Sequence, residues 1–249
     1  SLLARDGDHV TLHRLVLAVA RARVPATEQP HWAEAALRSV NGSFPFESDD
    51  VRTWAVCAPL LLHARAVTEF AEAAQLAPET TACLVNNMGG YYLGRAQYAE
   101  ARQAFERSLR LDEAIFGPSH PNVAIRLNNL GLVLRALSEL AGARQCCERA
   151  LQIQEAALGP DHPYVVVNVN NLGTVLSDLG ELAEARQCFE RALRLAEVAF
   201  GLNHPRVAIS VNNLGEVLRA LFLKRPGERN LVDAQPHLRR ARITDAEVG

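Results

Sequence analysis

Paired asparagines are the residues whose type and spacing most directly indicate chemistry in this chain. They recur at a constant interval of 42 residues, as Asn86-Asn87, Asn128-Asn129, Asn170-Asn171 and Asn212-Asn213. A side-chain amide has donors and an acceptor, so it can satisfy the N–H and the C=O of a peptide without charge. A ladder of amides could therefore grip an extended polypeptide regardless of its sequence. Alternatively, the amides could bond between helices of adjacent units and fix their spacing; both roles can coexist, and the first residue of each pair favours the structural one.

Catalytic and metal-binding chemistry have no comparable pattern. The periodic histidines His120, His162 and His204 each precede a proline, and a whole repeat separates them, which is too far for a shared metal ion. We predict a turn role for each and no metal site. The sequence has no converging serine–histidine–aspartate or paired-carboxylate cluster and no GxxxxGK[ST] phosphate loop. We therefore predict a chain that is not an enzyme and needs no cofactor.

The elements that must position the asparagines are predicted helix pairs. In the segment VNNLGTVLSDLGELAEARQCFERALRL, residues 169–195, the apolar residues Val169, Leu172 and Leu176 follow helical spacing. Gly180 then indicates a turn. A second helix carries further residues at helical spacing, namely Leu182, Ala185, Phe189 and Ala192. A fixed period of this size is typical of stacked supersecondary units, and Gly173 with Ala185 predicts a close approach of the two helices.

These residues resemble the tetratricopeptide repeat (TPR) pattern. The matching residues of this chain are Leu172-Gly173, Tyr98 or Leu182, Ala185, Phe189 and Ala192. The step of 42 residues is longer than the usual one of about 34. With the motifs NNLG and GPDHP, it resembles the kinesin-light-chain-type subclass. The resemblance implies an all-α fold, a right-handed solenoid of helical hairpins whose concave face binds peptide segments of partners. The repeats are expected at about 79–120, 121–162, 163–204 and 205–243, within a repeat region of 79–249.

The resemblance also implies which side chains face the concave groove. The second asparagine of each pair occupies the slot that clasps a ligand backbone, which nominates Asn87, Asn129, Asn171 and Asn213. Selectivity is then expected from neighbours one turn further along, namely Leu132, Arg135, Thr174, Ser177, Asp178, Glu216 and Arg219. The two arginines of that set could receive a carboxylate or phosphate of the partner.

The first 24 residues resemble the end of the winged-helix unit of NB-ARC/STAND nucleotide-switch ATPases, with a short hairpin followed by a helix. The segment TLHRLV is similar to the MHD-type motif of that family, with His13 in the histidine slot that touches a nucleotide phosphate. Arg14 stands where the plant-type motif has aspartate and matches the bacterial-type variant. Any contact with ATP or ADP is expected only through an upstream domain. Residues 25–78 are predicted to be a helical linker and cap, with helices near 32–40, 51–64 and 67–76.

Composition narrows the function classes. The net charge of −2 predicts no nucleic-acid partner, and no apolar run is long enough to predict a membrane span. Five cysteines without a CxxC motif predict buried free thiols and a reducing cytoplasm. We expect a protein-interaction module that binds a protein or peptide partner, specifically the sensor region of a STAND-type signalling ATPase. The alternative is a stand-alone TPR scaffold or adaptor without an ATPase.

Overall fold

The computed structural model describes residues 3–6, 9–12, 23–45 and 50–224. Two strands open the described chain, β1 (Leu3–Asp6) and β2 (His9–Leu12). They pair antiparallel with Leu3 opposite Leu12. This hairpin agrees with the short hairpin expected at the N-terminus. His13, and the helix predicted to follow the hairpin, lie outside the described residues.

Nine α-helices account for most of the remaining described residues. They are α1 (Gln29–Ser43), α2 (Trp54–Ala73), α3 (Pro78–Gly94), α4 (Tyr98–Phe116), α5 (Pro121–Ala136), α6 (Leu140–Leu158), α7 (Val165–Asp178), α8 (Leu182–Phe200) and α9 (Pro205–Lys224). A short 3-10 helix, Val51–Thr53, precedes α2. The predicted all-α solenoid is confirmed.

The capping region differs from its prediction. Residues 54–73 form one continuous helix that contains Pro59, where two helices were expected. The predicted break between Ala64 and Val67 was wrong, since the sequence there has no glycine or proline to stop the helix. Phe70, a large apolar residue of this helix, is 46% exposed.

Each of the first three repeats is a helical hairpin whose two helices we call A and B, and the fourth repeat is described through its helix A. Helices A are α3, α5, α7 and α9, and helices B are α4, α6 and α8. The turn inside each hairpin uses one residue with positive φ, at the equivalent positions Ala96, Ser138 and Gly180. The connection from each helix B to the next helix A begins with a glycine at positive φ, namely Gly117, Gly159 and Gly201. Helix geometry cannot continue through such a residue, so the chain reverses at the same two points in each of the three described hairpins.

The two helices of a hairpin meet where helix A has a glycine. A Cβ added at Gly173 would lie 2.8 Å from Cε1 of Phe189, and one at Gly89 would lie 2.5 Å from Cε1 of Phe105. The same slot in the middle unit pairs Gly131 with the Sγ of Cys147, at 3.0 Å. The predicted close approach at these glycines is therefore present, and the side chains of helix B fill the space that the missing side chains leave.

Helices A of consecutive repeats contact each other directly: α3 with α5, α5 with α7, and α7 with α9. On the other side of the stack, ion pairs join a helix B to the turn before the next helix B, as between Arg102 and Glu139 at 2.7 Å and between Arg144 and Glu181 at 2.9 Å. Because the closer approach is on the helix A side, the inner wall of the stack is formed by helices A. This is the wall that carries the paired asparagines.

Candidate binding groove on the helices A

In the second, third and fourth repeats, the second asparagine bonds to the first asparagine of the repeat before it. Nδ2 of Asn129 donates to Oδ1 of Asn86 at 2.8 Å. The same bond joins Asn171 to Asn128 at 3.3 Å, and Asn213 to Asn170 at 3.4 Å. The residues of every such pair are 43 positions apart, so one interaction repeats along the stack. The structural alternative is thus realised in the amide ladder.

In the second and third repeats, the first asparagine of the pair lies deeper than the second. Asn128 and Asn170 are each 8% exposed. Nδ2 of Asn170 donates to Oγ of Ser210 at 3.0 Å and to the carbonyl oxygen of Val166 at 3.2 Å. Asn212 occupies the same slot on α9 and is exposed, because no described helix A follows it. The next unit in the stack therefore normally covers this slot.

Two polar residues of this network were missed by the sequence reasoning. Nδ2 of Asn128 donates to Oδ1 of Asn168, and Nδ2 of Asn168 donates to the carbonyl oxygen of Ala150 at 3.2 Å. Ser210 holds the equivalent slot on α9, and Arg126 holds it on α5, where it forms an ion pair with Asp112 at 2.7 Å. A polar residue at a constant place in three consecutive helices A was the available signal.

The second asparagine of three repeats retains unused hydrogen-bonding groups. Asn129, Asn171 and Asn213 are half-buried, and each spends one N–H on the preceding repeat. Their Oδ1 atoms accept no hydrogen bond from the described chain, so each amide can still accept one bond and donate another. Asn87 differs, since it is only 5% exposed and already has a partner. The structure thus brings three of the four predicted backbone-clasping amides to an accessible surface.

An apolar stripe runs beside these three amides. Ile125, Val167 and Ile209 lie four residues before the second asparagine of their repeats and are 48%, 37% and 55% exposed. Four residues is about one helical turn, so each apolar side chain and its amide share one face of helix A. Exposed β-branched residues at the same place in three repeats are a signal that sequence reasoning did not use. Together, the amides and the apolar stripe form what we call the groove.

A cavity of about 290 Å³ opens in the groove between α7 and α9. Its lining residues are Val166, Val167, Asn170, Asn171, Arg206 and Ile209. Nη1 of Arg206 is buried and has no hydrogen-bond partner among the described residues. The guanidinium carbon lies 5.4 Å from the ring centroid of Phe200, which holds this side chain in place through a cation–π contact.

The predicted selectivity residues fall into a paired and an unpaired group. Arg135 and Asp178 form an ion pair between α5 and α7, at 41% and 37% side-chain exposure, so their charges largely compensate each other. Glu216 and Arg219 are exposed on α9, with no hydrogen bond or ion pair among the described residues. Oγ1 of Thr174 donates to the carbonyl oxygen of Asn170 at 2.9 Å. Of the four predicted charged residues, Glu216 and Arg219 are the two left without an ion pair among the described residues.

The periodic histidines hold the turns at the start of the helices A. Nδ1 of His120, His162 and His204 accepts the backbone N–H of the residue two positions later, at 3.2 Å in each case. The rings of Phe116 and His120 stack at 4.4 Å, and those of Phe200 and His204 at 4.6 Å. Each imidazole is therefore engaged in its own turn. Within the described ranges, no three His, Cys, Asp or Glu side chains cluster in a way that could hold a metal ion.

The cysteines are free thiols, and most are shielded. Burial raises the pKa of Cys147 to about 12. Burial also raises the pKa of Cys146 and of Cys188. A thiol with a raised pKa is a poor nucleophile at neutral pH, because the thiolate is the reactive form. These residues pack as small hydrophobic side chains between the helices.

Comparisons with known proteins place this geometry in a family. The family model described as Tetratricopeptide repeat matches residues 80–145, 127–168 and 164–222. No curated protein matches. None of the helices in the described part is long and apolar enough to cross a membrane.

Several solved structures are similar in fold. TPR-like repeats of a kinesin light chain from Podosopora anserina, in a variant with one glutamine replaced by methionine, are 14% identical with a TM-score of 0.64, covering 91% of this chain and 99% of that chain. The form without that substitution is 15% identical with a TM-score of 0.63, covering 90% and 99%. BtubC (BKLC) from P. vanneervenii is 18% identical with a TM-score of 0.60, covering 87% and 92%. These similarities concern the fold, whereas the matched residues 80–222 make up more than half of the sequence: the chain belongs to the tetratricopeptide repeat family.

Proposed function

We propose that the groove binds an extended polypeptide segment of a partner protein. The observation that carries this proposal is the set of half-buried amides of Asn129, Asn171 and Asn213, each with an acceptor and a donor left unused among the described residues. Packed helices have axes about 8–10 Å apart. An extended chain advances about 3.3 Å per residue. One amide per repeat therefore suits a guest chain that contributes about three residues per repeat.

The ladder also prepares the amides for binding. Each second asparagine is held by its bond to the preceding repeat, so its side chain is ordered before a partner arrives. Ordering a flexible side chain at an interface costs about 0.5–1.5 kcal/mol. The Asn–Asn bonds remove part of that cost for each amide. The structural and the recognition roles thus support each other.

The apolar stripe supplies the hydrophobic part of the interaction. Ile125, Val167 and Ile209 are exposed in the free chain and would lose water on contact with a partner. Burial of apolar area contributes about 25 cal/mol per Å². Asn87 is excluded from the proposed site because it is buried, so the proposed groove spans three repeats.

Selection from a display library of random dodecapeptides tests the proposed groove. Peptides enriched on the wild-type chain are then measured against Asn129→Ala and Asn171→Ala. Each substitution is expected to weaken binding about three- to tenfold, because hydrogen bonds to the guest backbone are lost. Asn203→Ala, in the exposed turn before α9, is the matched control and is expected to leave binding unchanged. Undiminished binding by both groove variants would contradict the proposal.

We further propose that this region is the sensor of a STAND-type signalling ATPase, in which an occupied groove relieves autoinhibition of an upstream nucleotide switch. The support is the β1–β2 hairpin and the TLHRLV motif, which contains His13. The partner is a protein or peptide, and ATP or ADP would be bound by the upstream domain alone. Sequencing the gene upstream of Ser1 is the first test, because a GxxxxGK[ST] loop there favours the sensor.

An enriched dodecapeptide should then increase ATP turnover by the full-length protein. The same peptide should fail on a full-length Asn171→Ala variant. An upstream sequence without a phosphate loop would favour the rival function, a stand-alone TPR scaffold or adaptor in the cytoplasm without an ATPase. The groove proposal applies equally to both.

A further inference from the structure

We infer that the cavity between α7 and α9 selects the partner, and that it accepts an apolar side chain next to a carboxylate. This inference rests on the proposed groove and names the chemistry that the groove reads. It assigns a role to Arg206, which the sequence pattern of the repeats did not single out.

Arg206 is a cation without a counter-ion in the described part of the chain. Its Nη1 is buried and unbonded, and no carboxylate among the described residues pairs with it. A buried charged donor that lacks a partner is costly unless something satisfies it. Other arginines at repeat boundaries are paired, namely Arg102 with Glu139, Arg149 with Glu113, and Arg191 with Glu155. The partner therefore supplies the anion that pairs with Arg206.

The place of Arg206 in the helix increases the cost of its unpaired positive charge. Arg206 is in the first turn of α9, where the partial positive charge of the helix N-terminus disfavours a cation and favours an anion. The equivalent residues of the two preceding helices A are Asn122 and Tyr164, which carry no charge. An anion beside Arg206 would interact favourably with both the guanidinium and the helix end. The charge is therefore specific to the boundary between the third and fourth repeats.

The rest of the cavity is apolar and amide in character. Val166, Val167 and Ile209 form the apolar walls, and Asn171 adds its unused amide groups at the edge. A volume of about 290 Å³ is enough for one branched or aromatic side chain. A carboxylate suits the site better than a phosphate, because phosphate groups are usually bound by clusters of arginine. Among the described lining residues, Arg206 is the single cation.

The orientation of the guest follows from this arrangement. The carboxylate lies at the start of α9, and the amides of Asn171 and Asn129 hold the backbone toward the second repeat. At the first two repeat boundaries the groove presents the exposed side chains of Ile125 and Val167, without a free cation among the described residues. The guest residues that bind there are therefore selected only for apolar character. The partner segment is thus an extended chain whose acidic residue, flanked by an apolar one, docks at the third boundary.

The experiment is a parallel selection of random dodecapeptides on the wild-type chain and on Arg206→Gln. Wild-type pools are expected to be enriched in an apolar residue next to aspartate or glutamate, and Arg206→Gln pools are expected to lose the acidic enrichment. In a selected peptide, replacing the acidic residue by its amide should weaken binding to the wild type about tenfold. The same replacement should change binding to Arg206→Gln less than about threefold, as a double-mutant cycle requires.

Further variants separate the possible outcomes. Arg194→Gln on α8, exposed and without a partner among the described residues, is the matched control and should select the wild-type pool. Arg206→Lys retains the charge, so it should retain the acidic preference at reduced affinity even if the glutamine variant folds poorly. Helical content by circular dichroism establishes that each variant is folded.

Three results would overturn the inference. Identical acidic content in the wild-type and Arg206→Gln pools, with binding still dependent on Asn171, would refute the cavity assignment while the groove stands. Tighter binding of a phosphoserine peptide than of its aspartate counterpart would refute the choice of carboxylate. Failure to enrich any peptide would refute the groove proposal, and this inference with it.

Discussion

The glycines of the helices A allow a graded test of how the hairpins pack. Replacing each by alanine adds one Cβ at the point where helix A meets helix B. At Gly89 that atom would lie 2.5, 2.7 and 3.0 Å from three atoms of the Phe105 ring. At Gly131 it would lie 3.0 Å from the Sγ of Cys147, with its next contact at 3.5 Å. Optimal carbon contacts are about 3.5–4.0 Å, so the overlap is severe at Gly89, where it involves three ring atoms, and smaller at Gly131, where it involves one sulfur atom.

The expected magnitude is a difference between two effects. Overpacking a well-packed core costs about 1–3 kcal/mol. Alanine is favoured over glycine in a helix by about 1 kcal/mol. Phe105 is 1% exposed, so its ring has little room to move. We therefore expect Gly89→Ala to destabilise the chain by about 1–2 kcal/mol and Gly131→Ala to change stability by less than about 0.5 kcal/mol.

Thermal and urea unfolding, followed by circular dichroism, provide the assay. A loss of about 1–2 kcal/mol corresponds to a decrease in Tm of roughly 2–8 °C for a chain of this size. Gly173→Ala should fall between the other two, because its Cβ would be 2.8 Å from the Phe189 ring. Phe189→Leu replaces that ring by a smaller side chain, so Gly173→Ala should destabilise the Phe189→Leu variant less than it destabilises the wild type. Equal destabilisation by Gly89→Ala and Gly131→Ala would refute the packing argument.

Three further predictions concern the ladder, the turns and a buried thiol. Asn170→Ala should destabilise the chain by about 1–3 kcal/mol, since buried groups lose their partners, whereas Asn212→Ala in the exposed equivalent slot should cost under about 0.5 kcal/mol in urea unfolding. Ser138 has a φ of 62°, so Ser138→Gly should increase the free energy of unfolding by about 0.5–1 kcal/mol and raise the Tm. Gly180→Ala at the equivalent turn should decrease the free energy of unfolding by the same amount and lower the Tm. The folded pKa of Cys147 is raised to about 12 from 9.0, so its stabilising contribution is complete below pH 9 and decreases as the pH rises toward 12. The difference in unfolding free energy between wild type and Cys147→Ala should therefore shrink by about 1–2 kcal/mol from about pH 8 to about pH 10.5, and a constant difference would contradict this reasoning.

The sequence predicted the repeat architecture well because the period, the glycines and the His-Pro turns act locally. Gly117, Gly159 and Gly201 end helices wherever they occur, so the C-terminal boundaries of α4, α6 and α8 followed from the residue types alone. In the capping region no such local signal exists, and the continuous helix Trp54–Ala73 was divided in error. Where no residue stops a helix, tertiary packing decides whether two helical segments form one helix or two. The sequence pattern contains no information about that packing.

The candidate site was only partly predictable. The period identified the second asparagines, but it could not say which amide bonds to which, because that depends on side-chain rotamers and on the stagger between helices A. Asn87 and Asn171 occupy the same position of the repeated motif, but Asn87 is buried and Asn171 is accessible. This difference arises from the elements that pack against each residue. Arg206 could not be recognised as unpaired from sequence, since arginines at other boundaries find glutamates 37 or 36 residues away.

The most direct test of the recognition account is the response of the side-chain amides to a bound peptide. In ¹⁵N-resolved NMR spectra of the chain titrated with a selected dodecapeptide, we expect the NH₂ resonances of Asn129, Asn171 and Asn213 to shift together. The NH₂ resonance of Asn203, in the exposed turn, should stay in place. Shifts confined to the turns or to helices B, with the three ladder amides unmoved, would contradict the account.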